Sequence, residues 1–331
     1  MSRLVLAGDL GGTKANLALF EPVGGRLEPV REATLPSAAY ASAPALVREF
    51  LGDDAPGVVA ACLGIAGPVR AGRVVTPNLP WTVDARETEL LLGLPRVTLI
   101  NDLVATARGI AELPAESFAV LQEGRPDPDG NAALLAAGTG LGEALLLRQG
   151  GDLVASPSEG GHASFAPTTE LEIELLRFLW AEHGSASAER VASGPGLLTV
   201  YRFLTRTARA PETPEVRARM EREDASAVVA GEALAGTDAA CVAALDLWTA
   251  AFGAEAGNLA LKALATAGVY VGGGIAPKIL PKLREGGFLA AFRNKGRFSG
   301  LLADVPVRVI LDPKAALYGA ARCAAEEAAR S

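Results

Sequence analysis

A glycine-rich turn between two apolar strand patterns occurs twice in this 331-residue chain, and it narrows the folds open to it. Near the start, Leu4, Val5, Leu6 and Ala7 run into Gly8, Asp9, Leu10, Gly11, Gly12 and Thr13, and a second strand pattern follows at 15–20. Near the middle, residues 132–137 run into Gly138, Thr139, Gly140, Leu141 and Gly142, and 144–147 follow. Both read as hairpins whose turns hold more glycine than turning needs. Glycine lets backbone N–H groups come close to an anion. Two such turns predict two loops gripping one polyphosphate from opposite sides.

The length suits about two domains. Strand patterns stand at 3–9, 14–20 and 26–34, a helical one at 42–51, and a buried strand at Val58–Ile65. A loop around Asn78, Leu79, Pro80 and Trp81 precedes a helix at 84–93 and a strand at 97–100. Hairpins followed by strand–helix–strand units predict an α/β domain with a mixed sheet and flanking helices. After Asn101 and Asp102 a short helix runs to 111, and the second hairpin then opens a domain with the same beginning, a sign of internal duplication. A helical stretch from 168 to 265 follows, broken at Gly184, at Gly194-Pro195-Gly196 and in the charged segment 209–217. Residues 269–271 run into Gly272, Gly273 and Gly274, with a helix beyond Pro277, a strand at 305–311 and an alanine-rich helix from 313. If that last helix returns to the first domain, the expected division is 1–110 with 312–331 as the smaller domain, and 111–311 as the larger, with a helical insertion.

Composition excludes several classes. A net charge of −7 argues against a nucleic-acid partner, so any phosphate ligand must be held by local groups. Cys62, Cys241 and Cys323 are scattered, and His162 and His183 are the only histidines, so the clustered ligands of a structural zinc site are missing. This cysteine usage suits a reducing cytoplasm. The N-terminal apolar stretch is cut by Asp9 and lacks a basic lead, unlike a signal peptide. No uninterrupted apolar stretch is expected to span a bilayer, so no membrane partner is predicted. The excess of arginine over lysine fits either a biased genome or a hot habitat.

Familiar phosphate-binding signatures are absent: there is no Walker loop and no Gly-x-Gly-x-x-Gly. Each remaining motif has a bland reading beside a functional one. The turn from Gly8 to Lys14 is good hairpin chemistry. It also places Asp9 near a phosphate-bound Mg2+, with the N–H groups of Gly11, Gly12 and Thr13 on phosphates. The turn at Gly138, Thr139 and Gly140 is equally ambiguous alone. Three glycine turns after three apolar strands, the third at Gly273 and Gly274, are what a nucleotide cleft between two α/β domains needs, although the third also suits close helix–strand packing. Asn101 and Asp102 read as helix N-cap residues. Equally, Asp102 is a carboxylate at a strand's C-terminal end, where α/β sheets place ligands, and it can take a proton from a hydroxyl while Asn101 donates to another. Glu159, Gly160, Gly161 and His162 either converge on one small ligand or form a surface loop. Glu189, taken alone, reads as an acid in the first turn of a helix.

The ordered set of these motifs resembles the bacterial glucokinase family, within the actin-like ATPase (ribonuclease H-like) superfamily of sugar kinases. The matching pieces are Gly8 to Thr13, Gly64-Ile65-Ala66-Gly67-Pro68, Thr76 to Trp81, Ile100-Asn101-Asp102 and Ala137 to Gly142. They continue through Glu159 to His162, Ser187 to Val191 with Ser193 to Gly196, Gly272 to Ile275, and Lys295 to Phe298. They cover nearly the whole chain. The resemblance implies two actin-like α/β domains with an interdomain cleft, transfer of a phosphoryl group from ATP to the 6-hydroxyl of D-glucose, Mg2+ with the nucleotide and near Asp9, and a homodimer. It makes Asp102 the catalytic base and assigns Asn101, Asp102, Glu159, His162 and Glu189 to sugar hydroxyls, with Asn78 in a matching loop. Gly8 to Thr13, Gly138 to Gly140, and Gly273 with Gly274 fall to the nucleotide.

Lys14 departs from the asparagine common in close relatives and resembles the ROK branch, yet the cysteine-rich zinc motif usual in that branch is missing. The alanine-rich segment 209–237 also departs from the family pattern. Other readings are a kinase for another hexose or amino sugar, a phosphohydrolase of the same superfamily, and a sugar-sensing regulator. The last needs a DNA-binding segment ahead of a first strand that begins at about Arg3.

Overall fold

The computed structural model describes residues 3–52, 57–77 and 79–330, which form two compact units. The first takes residues up to Ser117 together with Asp312 onward; the second runs from Phe118 to Leu311.

In the first unit the chain lays down β1 (Leu4–Leu10), β2 (Lys14–Val23), β3 (Arg26–Pro36), α1 (Ala43–Leu51) and β4 (Val58–Ile65). Next come a small β5 (Arg73–Val75) and β6 (Thr82–Asp84) ribbon, α2 (Ala85–Leu92), β7 (Val97–Asn101) and α3 (Asp102–Gly109). The main sheet has the order β3-β2-β1-β4-β7. The β1–β2 and β2–β3 pairs are antiparallel, and β1–β4 and β4–β7 parallel. The strand period of two divides β1 cleanly. Leu4, Leu6 and Leu10 pack with Leu46, Val47 and Phe50 of α1 and with Trp81 and Val83. Val5 and Ala7 face the other way, against Leu317, Ala320 and Ala324.

The second unit opens with β8 (Phe118–Gln122), a strand that the sequence pattern did not disclose, followed by β9 (Ala132–Ala137), β10 (Leu141–Gln149) and β11 (Asp152–Ser158). Helices α4 (Glu170–His183), α5 (Gly194–Arg206), α6 (Pro214–Met220), α7 (Ala225–Ala235) and α8 (Ala239–Ala263) fill the helical stretch. Then follow β12 (Gly268–Gly272), α9 (Leu280–Arg284), α10 (Gly287–Arg293), α11 (Ser299–Asp304) and β13 (Val307–Ile310). The final helix, α12 (Ala315–Arg330), belongs to the first unit. The sheet order is β11-β10-β9-β12-β13-β8. An antiparallel meander feeding two parallel strands thus occurs in both units, and β8, antiparallel to β13, is the extra strand. The shared topology extends the likeness of the two hairpins to whole sheets.

One expectation needs correction. Gly194-Pro195-Gly196 opens a helix instead of only breaking one: Ser193 caps α5 by accepting the Gly196 amide at 3.1 Å, and proline is favoured where no amide partner exists. The segment 209–237 forms α6 and α7, with Asp224 capping the latter. Finally, α8 at 25 residues is by length and composition apolar enough to cross a membrane, although Asp246, Glu255 and Lys262 interrupt its apolar run. It is a core helix here: most of its side chains are buried, among them Trp248, which packs on Phe252, and Phe252, which in turn packs on Phe288 of α10.

Candidate active site

The parallel strands of the first unit end together. Leu10 of β1 is opposite Ile65 of β4, and Ile65 is opposite Asn101 of β7. The first glycine turn, the Gly67 loop and the Asn101–Asp102 pair therefore share one end of one sheet, the end where α/β folds gather ligands.

Asp9 continues the face of Val5 and Ala7, by parity. It is only partly exposed, and its Oδ2 accepts from Nδ2 of Asn16 at 3.2 Å. Thr34 in turn donates to Oδ1 of Asn16 at 2.9 Å, so a polar chain crosses three strands. Burial pushes the Asp9 carboxyl up to about 6; the Asn16 bond and Lys14 lower it, and the charge of Asp102 raises it.

The turn itself is Gly11, Gly12 and Thr13. The Gly11 amide donates to the Lys14 carbonyl at 3.1 Å, so it is used inside the turn. Of the three amides expected to face phosphate, that of Gly11 is thus committed to the turn. Ser37 braces the turn, its Oγ donating to the Gly11 carbonyl at 2.7 Å and its amide to the Thr13 carbonyl at 3.1 Å. Gly8 and Leu10 serve packing. Leu10 is buried, and a methyl group on Gly8 would lie 2.7 Å from Leu63 and 2.9 Å from Leu17.

Asn101 caps α3, accepting the Leu103 and Val104 amides at 2.9 and 3.3 Å, and its Nδ2 donates to the Gly67 carbonyl at 3.2 Å. The plain N-cap reading is thus correct for Asn101. Asp102 is the first residue of α3, and its Oδ1 accepts the Leu103 amide at 3.0 Å. Helix α3 is held against α12 by a close crossing. A methyl on Gly109 would lie 1.8 Å from the Ala315 carbonyl oxygen, and one on Gly319 would lie 1.8 Å from that of Ala105. Arg108 adds a two-pronged bond to Glu326 at 3.0 and 3.1 Å. Asn78 lies outside the described residues.

In the second unit the Gly138 turn is tied as tightly. Its Gly138 amide donates to the Gly140 carbonyl at 2.8 Å, and the Gly138 carbonyl accepts from Gly194 at 2.8 Å. At the neighbouring strand end Gly273 has φ +83, and its Cα faces the backbone of Ala137, whose oxygen would lie 2.2 Å from an added methyl. Only glycine suits both conditions. Gly274 has open space around it.

Glu159, exposed, precedes a single helical turn over Gly160–His162. Backbone bonds stitch this turn to the Glu189 segment: the Glu189 amide donates to the Gly161 carbonyl, and the Ala188 amide to that of Ala163, each at 2.9 Å. Glu189 is not in a helix, so the expectation of a first-turn helix acid fails. Its Oε2 accepts the Leu141 amide at 3.0 Å, and its Oε1 lies 3.7 Å from Nδ1 of His162. The His162 side chain is 63% exposed and that of Glu189 30%, so both can reach a ligand. Glu159, His162 and Glu189 thus form one polar cluster that adjoins the Gly138 turn. Sequence reasoning did not find Glu143, buried two residues into β10 below this cluster; its apolar neighbours in the sequence gave no signal. Among the described residues no three His, Cys, Asp or Glu side chains gather as a metal-ligand group.

Comparisons with known proteins identify the family. The family model named Glucokinase matches residues 6–327. The chain is 40% identical to a glucokinase of Nostoc punctiforme, over 97% of this chain and 99% of that protein. A crystal structure of glucokinase from an Antarctic psychrotroph superposes with a TM-score of 0.84 at 30% identity, covering 98% of this chain and all of that one. A ROK family glucokinase from Streptomyces griseus, solved with glucose and AMPPNP, shares the fold at TM-score 0.66 and 22% identity, covering 98% and 99% of the two chains. The two units are α/β domains of the actin-like ATPase fold, and the chain belongs to the glucokinase family.

Proposed function

We propose that this chain transfers the γ-phosphoryl group of ATP to the 6-hydroxyl of D-glucose, giving glucose 6-phosphate and ADP. The observation that carries the reading is the placement of Asp102. It is a carboxylate at the end of β7 in the first turn of α3, with one oxygen anchored on the Leu103 amide. An acceptor carboxylate fixed in direction is what a hydroxyl nucleophile needs. Asp102 takes the hydroxyl proton as the oxygen attacks phosphorus and the bond to the ADP oxygen breaks. Phosphoryl transfer asks for positioning and charge stabilisation rather than covalent participation by the protein.

The sugar offers hydroxyls that both donate and accept. Glu159 and Glu189 accept from them, His162 either donates or accepts, and Asn101 has a second Nδ2 hydrogen beyond its bond to Gly67. The amides of Gly12 and Thr13 and of Thr139 and Gly140 serve phosphate oxygens, and Gly273 and Gly274 give the nucleotide a side-chain-free surface. The donor set fits a Mg2+ ion carried by the nucleotide. Asp9 is a partly buried carboxyl with one side-chain donor among the described residues and a like charge nearby, a condition that a divalent cation relieves. When bound, the ion neutralises phosphate charge. The three described cysteines are free and buried, which supports a reducing cytoplasmic setting, and the homodimer of the family is carried into this reading.

A coupled assay of ADP release with glucose, mannose, fructose and N-acetylglucosamine tests the proposal. Glucose is expected to have the highest kcat/KM. ATP consumption at the same rate without sugar would instead indicate a phosphohydrolase.

A further inference from the structure

The loop that carries Glu159 and His162 rests on a buried carboxyl group. Gly160 is so close to Glu143 of β10 that a methyl on it would lie 1.9 Å from Oε2. The Gly160 amide is fixed in the other direction, donating to Oγ of Ser158 at 3.0 Å, and Ser158 is the direct cross-strand partner of Glu143. Glu143 is 1% exposed, and no donor among the described residues reaches its Oε1. The carboxyl of Glu255, on α8 and 6% exposed, interacts with the Glu143 carboxyl.

The charges around this pair are few. Lys262 on α8 donates to Oε1 of Glu255 at 3.2 Å, and Asn258 donates to Oε2 at 2.9 Å. Lys295, which follows α10, donates to the Ala254 carbonyl at 2.9 Å and to Oδ1 of Asn258 at 2.7 Å, and it feels Glu172 of α4 as well as Glu255. Among the described residues, the side-chain donors to this pair therefore go to Glu255. Two buried carboxylates this close cannot both stay charged when only one of them is served by donors. A shared proton satisfies the pair.

We propose that Glu143 is a positioning residue for sugar binding: paired with Glu255, it forms the floor under Gly160 and so sets where Glu159 and His162 stand. This rests on the kinase reading given above. Burial, and then the Glu255 charge, raise the Glu143 carboxyl to about 7, with Lys262 opposing. Below that pH the shared proton holds the floor in place. Above it a second buried charge forces Glu143 away from Glu255, and Gly160, having no side chain to interpose, moves with it. Sugar affinity then falls as pH rises through neutrality while the base, at the start of α3, is untouched.

Two measurements test this on the full-length protein: kcat and KM for glucose from pH 6 to 9, and hydrogen exchange over residues 158–163, corrected for intrinsic rates. In the wild type, KM is expected to rise roughly fivefold across this range, with kcat changing less than twofold, and loop protection to fall in parallel. Glu143→Gln donates permanently to Glu255 and cannot ionise. It is expected to keep the low-pH KM and loop protection at every pH. Glu143→Leu is expected to raise KM at all pH values. A Glu143→Gln protein with the wild-type pH profile, or a folded Glu143→Leu protein with wild-type KM and loop protection, would overturn the role. If the leucine variant does not fold, the glutamine profile decides. If the wild type turns over no glucose, the kinase reading falls, and the exchange data still decide whether Glu143 holds the loop.

Discussion

Asn16 donates its Nδ2 hydrogen to Oδ2 of Asp9 across the β1–β2 pair at 3.2 Å, and this bond opposes the burial that discourages charge on Asp9. The Asp9 carboxyl stands at about 6 in the folded protein against 3.8 when unperturbed. A raised folded value means that its contribution to stability is fully present below about 4 and lost as pH rises through 6. Keeping Asp9 ionised at neutral pH therefore costs stability. Asp9→Asn is expected to raise Tm by roughly 2–4 °C at pH 8, to give no gain at pH 4, and to lower turnover about a hundredfold. Thermal melts at the two pH values check the sign; a lower Tm at pH 8 would contradict it.

Asn101 joins the Gly67 loop to the start of α3, and its side chain accepts two helix amides. Asn101→Ala removes the cap and is expected to cost about 1–2 kcal/mol in urea unfolding, with a lower kcat because Asp102 loses its mooring. Asn101→Asp keeps the cap oxygen but loses the bond to Gly67. It should recover most of the stability and little of the activity.

Glu189 holds the start of β10 through the Leu141 amide and stands beside His162. Glu189→Ala leaves that amide without its partner and removes a hydroxyl acceptor. The expected result is a KM for glucose at least tenfold higher with KM for ATP changed by less than threefold, about 1.4 kcal/mol or more of sugar binding. Isothermal titration with glucose alone measures it. Equal losses for the two substrates would mean that Glu189 only supports the fold.

Much of this was legible in the chain because short-range chemistry wrote it. Gly11-Gly12 and Gly138 to Gly140 announced hairpins through backbone freedom, and Asn101 announced the start of α3 by its capping chemistry. The resemblance, carried by Asn101-Asp102 and Glu159 to His162, led to the family that the comparisons then showed. What stayed hidden depends on tertiary contact. β8 pairs with β13 far along the chain, Val307 opposite Gln122 and Ile310 opposite Phe118, and no local pattern encodes such a partner. The Gly11 and Gly138 amides read as free donors, whereas each closes its own turn. Glu189 looked like a helix acid because only the backbone bonds to Gly161 and Ala163 reveal its true segment. Glu143 drew no notice in the sequence, because only the folded chain brings Gly160 and Glu255 onto it.

The α3–α12 crossing makes a packing prediction. A methyl on Gly319 would meet a backbone carbonyl, which cannot rotate out of the way as a side chain can. Gly319→Ala is expected to destabilise the protein by about 2–3 kcal/mol. Because α3 begins with Asp102, kcat should fall more than the folded fraction does. Urea unfolding followed by assay of the folded protein separates the two effects.

The account depends most on Asp102 as the base. Asp102→Asn keeps the size of the side chain and removes its proton affinity. The direct test is kcat of this variant with saturating glucose and ATP, with glucose binding measured on the same folded sample. The account predicts a kcat lower by about a hundred- to ten-thousand-fold, with glucose affinity within about tenfold of the wild type. A folded Asp102→Asn protein turning over glucose at near wild-type rate would contradict it.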